Sequence, residues 1–116
     1  MKYKLIFLSI LSLFLLSSCN KDKIFLKITS PANGEEFKMY EDIDVNITAY
    51  TKKGSILQVV LTVDTVKTVY LSEKPPYYYL IEKGSFRDTG VFFISVLAYS
   101  SEGVREGAAI DIKIVK

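Results

Sequence analysis

Asp42-Ile43-Asp44-Val45-Asn46-Ile47-Thr48-Ala49 alternates polar and apolar residues without a break. Successive side chains of an extended strand point to opposite faces, so Ile43, Val45, Ile47 and Ala49 share one side and Asp42, Asp44, Asn46 and Thr48 the other. One face is built for a core and the other for water, which predicts a half-buried β-strand. Lys53-Gly54 turns the chain, and residues 56–63 repeat the pattern with Leu57, Val59, Leu61 and Val63 on one face; Val60 makes the other face less polar. Asp64-Thr65 stands where a two-residue hairpin would, and Val66 to Leu71 returns. Pro75-Pro76 cannot donate ladder hydrogen bonds and interrupts the pairing. Tyr77 to Glu82 is the next strand, followed by a loop through Gly84 and Gly90. Val91 to Tyr99 is almost wholly apolar, which predicts a central strand buried on both sides. Ser100-Ser101-Glu102-Gly103 turns it into Ala108 to Val115, with Ile110, Ile112 and Ile114 inward. Upstream, Ile24 to Ser30 reads as the first strand, closed by Pro31-Ala32-Asn33-Gly34, whose Asn-Gly pair tolerates positive φ; Phe37-Lys38-Met39 can continue it on another sheet. No apolar 3.6-residue period runs over ten residues in this region. About seven short strands with turn signals between them predict an all-β sandwich or barrel.

The N-terminus follows different rules. Lys2 and Lys4 precede Leu5 to Leu16, an apolar stretch of 12 residues. A membrane-spanning helix needs roughly 20 such residues, so this length and the small residues after it predict a signal peptide. Leu16-Ser17-Ser18-Cys19 resembles the bacterial lipobox, with Leu three positions before the thiol. Ser18 departs from the commoner Gly or Ala but is tolerated in lipoproteins that look like those of Bacteroidetes. The resemblance implies that residues 1–18 are removed and that Cys19 receives lipid through a thioether. It also implies a tether over residues 19–23, a domain over 24–116 and an address in the cell envelope, at the outer membrane. Cys19 is the single cysteine, so no intrachain disulfide competes for it. Two or more acyl chains at about 0.8 kcal/mol per buried CH₂ would hold the protein on a bilayer.

Removing residues 1–18 from 116 leaves 98, enough for one domain that buries about 60–65% of its unfolded surface. The chain carries 15 Lys and Arg against 13 Asp and Glu, and Lys2 and Lys4 leave with the signal. Thirteen of each sign remain, so the apparent pI of 8.6 belongs to the precursor and is no nucleic-acid footprint.

The order Ile28-Thr29-Ser30-Pro31-Ala32-Asn33-Gly34, Asp44 to Ala49, Val59 to Asp64, Pro76-Tyr77, Gly90 with Phe93 to Ala98, and Glu102-Gly103 resembles bacterial Ig-like domains of the cell-surface type. The resemblance implies an immunoglobulin-like β-sandwich of about seven antiparallel strands. Two departures stand out. Thr65 replaces the Gly common at the mid-chain hairpin and resists positive φ. Tyr99-Ser100-Ser101 lacks an Asp that relatives often carry before the last turn, which removes one acidic calcium ligand.

The residues carry little reactive chemistry. There is no His to serve as a general base or metal ligand, and with Cys19 given to lipid no thiol remains for catalysis or zinc. Paired carboxylates could cleave glycosides, but the acids fall at turns and outward strand positions. Glu41, Asp42 and Asp44, with Asp88 or Glu102, make the best calcium grouping; an outward strand face plus a turn is the favoured account of them. Asn46-Ile47-Thr48 matches a glycosylation sequon by chance. The binding character lies in Tyr77, Tyr78 and Tyr79, with Phe86 and Arg87 beyond them, because aromatic rings stack on sugars and anchor protein interfaces. On a strand Tyr78 faces away from Tyr77 and Tyr79, so part of the run packs inward. The reading is a non-enzymatic module without cofactor or metal. It acts as an accessory of a cell-envelope complex or, through exposed tyrosines, binds a surface glycan. Its partners are the membrane, through lipid, and an envelope protein or glycan.

Overall fold

The computed structural model describes residues 23–71 and 74–116; the expected signal peptide and the lipid-bearing role expected of Cys19 lie outside the described residues. Eight strands follow in order: β1 (Ile24–Ser30), β2 (Glu35–Lys38), β3 (Ile43–Thr51), β4 (Ile56–Val63), β5 (Lys67–Tyr70), β6 (Tyr77–Ile81), β7 (Gly90–Ser100) and β8 (Arg105–Val115). They form a three-stranded sheet, β1-β3-β6, and a five-stranded sheet, β2-β8-β7-β4-β5. The fold is the expected immunoglobulin-like sandwich. Strand β3 centres the smaller sheet, pairing antiparallel with β1 (Ile28 opposite Ile47) and with β6 (Val45 opposite Tyr79). Its alternation is realised residue by residue, with Ile43, Val45, Ile47 and Ala49 buried and the residues between them exposed.

The core lies between the inner faces. Ile43 and Val45 meet Val59, Leu61 and Val63 of β4, Ile94, Val96 and Ala98 of β7, and Ile112 and Ile114 of β8, each at most 2% exposed. The buried hydrophobic residues of the described chain form one cluster that runs from Ile24 to Ile114.

Four details depart from the pattern-based reading. The segment around Phe37 passes to the other sheet as expected, but there, as β2, it joins β8 in parallel (Phe37 opposite Ile114); every other pair is antiparallel. Leu57 is outward and 54% exposed. Ile56 pairs with Ser100 and Gln58 with Tyr99, so Leu57 is the extra residue of a bulge that resets the alternation. The connection between β4 and β5 holds three residues, because Val63 pairs with Lys67. The positive φ there (35°) falls on Asp64 instead of β-branched Thr65. The Asp64 carboxylate accepts a hydrogen bond from Phe93 N at 3.2 Å, and its N–H donates to Phe93 O at 2.9 Å. Finally, β7 is buried on one face only: Val91 and Phe93 are exposed and Leu97 is half-buried. Two layers leave each sheet one outer face, so an apolar run does not guarantee two buried sides.

The two ends of the sandwich differ. At one, β1 begins opposite Thr51, and the β3–β4 turn binds the β7–β8 turn. Ser55 N donates to Ser101 Oγ at 3.0 Å and Ser101 N to Ser55 O at 2.9 Å. At the other, the β2–β3 and β6–β7 connections meet: Lys83 N donates to Asp42 Oδ1 at 2.7 Å and Gly84 N to Met39 O at 3.2 Å.

Candidate functional site

The Tyr77-Tyr78-Tyr79 run is divided by the pleat of β6. Tyr77, opposite Ile47, is 3% exposed and belongs to the core, and burial raises the pKa of its phenol. Tyr79, opposite Val45, is half-buried and packs against the same core. Tyr78 stands opposite Asn46 on the outward face and is 47% exposed. Its hydroxyl donates to Asp44 Oδ1 at 2.5 Å, one outward position along β3. That hydrogen bond raises the Tyr78 pKa, helped by some loss of solvent and by the negative charges of Asp44 and Asp42. The phenol therefore holds its proton more firmly than a free tyrosine.

Phe86 does not extend an exposed site. It is 5% exposed and packs on Phe92 with ring centroids 4.6 Å apart, closing the core beneath the β6–β7 connection. An aromatic residue in a loop has apolar area to bury, and the open end of the sandwich offers the place. Arg87 is exposed and lines a concavity with Thr65, Val66, Ser85, Asp88, Phe92 and the edge of Phe86, on the side of the larger sheet. The five residues expected to act together thus split three ways: Tyr77, Tyr79 and Phe86 inward, Tyr78 on the smaller sheet, Arg87 at the end of the larger one.

Tyr78 gains different company. Phe25 and Tyr50, directly opposite in the β1–β3 ladder, stack face to face at 4.8 Å with their planes 15° apart. They are 43% and 51% exposed, and the Lys52 ammonium lies 5.9 Å from the Phe25 ring centre. The outward row of β3 reads Asp44, Asn46, Thr48, Tyr50, so the Tyr50 pair and Tyr78, beside Asn46, stand roughly 13 Å apart along the strand. Lys27, Thr48 and Asn46 lie between them. Asn46 Nδ2 donates to Ser30 Oγ at 2.7 Å, which orients the amide. The arrangement is an exposed strip with rings at each end and hydrogen-bonding groups in the middle. A sign of it existed in the sequence, since Phe25 and Tyr50 occupy positions where the alternation calls for polar residues. Their proximity depends on the register between two strands separated by 12 residues of chain.

The acidic residues proposed for calcium are dispersed. Asp42 is engaged with Lys83 N, Asp44 with Tyr78, and Glu41 Oε1 with Lys38 N at 3.3 Å; Glu102 sits at the opposite end of the sandwich. Among the described residues no group of three or more His, Cys, Asp or Glu could hold a metal ion.

The family model of the bacterial Ig domain matches residues 25–96. Among solved structures the chain is similar to the fibronectin(III)-like modules of Clostridium thermocellum CbhA, with a TM-score of 0.59 and 24% identity over 78% of this chain and 93% of that one. It is also similar to part of the endo-beta-1,4-mannanase from Thermotoga petrophila, with a TM-score of 0.67 and 12% identity over 81% of this chain but 20% of that one. At these identities the likeness concerns the fold. No curated protein matches the sequence.

Proposed function

The chain belongs to the bacterial Ig domain family, and from that premise we propose that it is a non-catalytic binding or scaffold module held on the cell envelope by lipid at Cys19. The observation that carries this reading is the distance between the lipobox and the fold: β1 begins at Ile24, five residues after Cys19. A tether of about four residues reaches at most roughly 14 Å, so the domain works close to the membrane. Such a module serves as an accessory of a membrane-bound assembly at the outer membrane, and not as a long-reach adhesin. Metabolic labelling with a fatty-acid analogue tests the anchor. Label is expected on the wild-type protein and absent from Cys19→Ala; label retained in the variant would overturn the anchor. Affinity capture of the lipidated protein from membranes tests the scaffold role, and the lack of any stoichiometric partner would count against it.

A second reading is favoured by the strip on the smaller sheet: recognition of a glycan by Tyr78 and the Phe25–Tyr50 pair. Exposed rings offer faces to pyranose C–H groups while Asn46, Thr48 and Lys27 offer hydrogen bonds. A glycan array probed with the wild-type domain, Tyr78→Ala and Tyr50→Ala discriminates the two readings. Binding to a defined sugar that both substitutions weaken supports glycan recognition; silence across the array refutes it.

A further inference from the structure

Residues 19–116 are electrically balanced as a sequence, but among the described residues the fold sorts the charges along the long axis of the strands. The end where β1 begins carries Lys23, Lys52 and Lys53, all exposed. Arg105, opposite Tyr99, is at the same end. Lys74 enters the same half from the β5–β6 connection, which leaves β5 where Leu71 N bonds Val59 O and reaches β6 opposite Ile47. Dividing the described residues at mid-strand leaves six Lys and Arg against two Asp and Glu in this half. The far half has six against nine, with Glu35, Glu41, Asp42, Asp64, Glu82 and Asp88 at its turns.

We propose that this basic end docks on the anionic headgroups of the bilayer, as a second, electrostatic anchor beside the lipid. The inference rests on the proposed lipidation of Cys19 for its biological setting, and on two observations for its direction. The tether enters the fold at Lys23, so the lipid would bring this end to the surface and leave the acidic end pointing away. The lysines occupy turns at the tip, within reach of the roughly 8–10 Å over which a charged surface acts in physiological salt. The acyl chains hold the protein on the bilayer, and a basic patch adds about 1 kcal/mol per Lys or Arg near an anionic surface. The same contact fixes orientation: the strands stand away from the membrane, and both outer sheet faces remain open to partners.

The test uses residues 19–116 with Cys19→Ala, which contain the whole core and lack the lipid-accepting thiol. Sedimentation with vesicles of phosphatidylcholine, alone or mixed with phosphatidylglycerol, reads the contact. Binding is expected only to the mixed vesicles and is lost in high salt. A surface lysine contributes about fivefold in affinity, so Lys52→Gln with Lys53→Gln should weaken binding about 25-fold. Lys83→Gln with Arg87→Gln, at the far end, should leave it unchanged. Failure to bind mixed vesicles, equal binding to neutral ones, or equal loss from the far-end pair would overturn the proposal. None of these outcomes depends on whether Cys19 is acylated, which the fatty-acid label reports separately.

Discussion

Phe86 and Arg87 are neighbours in one loop, and the structure assigns them opposite roles. Replacing Phe86 by Ala removes a ring that is 5% exposed and packed at a tilt against Phe92. A buried aromatic side chain takes about 150–250 Å² out of water, worth roughly 4–6 kcal/mol at 25 cal/mol per Å². The methyl group left by alanine and the compactness of real unfolded chains reduce this, and the lost ring pair adds about 1 kcal/mol. The expected cost is about 3–4 kcal/mol, within the range of Phe-to-Ala changes in other cores. A domain of this size has a total stability of about 5–14 kcal/mol, so the variant should be severely weakened but can still fold. In urea titrations followed by circular dichroism the midpoint should fall by about 1–3 M with an unchanged slope. Arg87→Ala, on the exposed side of the same loop, should stay within about 0.5 kcal/mol of wild type. A Phe86→Ala variant as stable as wild type, or an Arg87→Ala variant that loses more, would refute the placement of this loop.

Two further predictions follow the same logic. Leu57→Ser should cost under about 0.5 kcal/mol because the bulge turns Leu57 outward, while Leu61→Ala, at 0% exposure, should cost about 2–5 kcal/mol; similar losses at both sites in urea titrations would argue against the bulge. The tyrosinate absorbance of the domain should show the Tyr78 phenol titrating above the ordinary tyrosine value, shifting back down in Asp44→Asn. The sign follows from a folded-state pKa raised above the unfolded one: the contribution is present while the phenol is protonated and is lost as alkaline pH rises through the folded value. An unchanged titration in Asp44→Asn would show that the hydrogen bond is not the cause.

Much of the fold is legible because strand formation with one buried face is a local, periodic property. The alternation over residues 42–49 predicts which side of β3 is buried, and the structure agrees at each of these positions from Ile43 onward. The misreadings share a cause: each needed a partner strand or layer to resolve. Leu57 follows the period but sits at a bulge set by pairing with β7. Val91 and Phe93 lie in an apolar run, yet no third layer of the described chain covers them. Phe86 lacks any periodic context, so its burial depends on a hole at the end of the sandwich that exists only when both sheets are assembled. Of the aromatic strip only the opposition of Tyr78 to Tyr77 and Tyr79 was legible; Phe25 and Tyr50 went unread, because their stacking depends on the β1–β3 register.

The sequence by itself determined the all-β class, the Ig-like resemblance, the inward face of most strands and the expectation of a lipid-bearing Cys19. Each of these is written in residue type and short spacing, where hydrophobic burial and backbone geometry act locally. Only the tertiary structure decided which exposed groups stand together. A charge count contains no direction, and the equal numbers of acids and bases in residues 19–116 gave no sign of a field. Antiparallel pairing places residues 23, 52–53 and 105, distant in sequence, at one tip. The same pairing sends most of the described carboxylates to the other half, because the ends of the strands are set by register and connection and not by order along the chain.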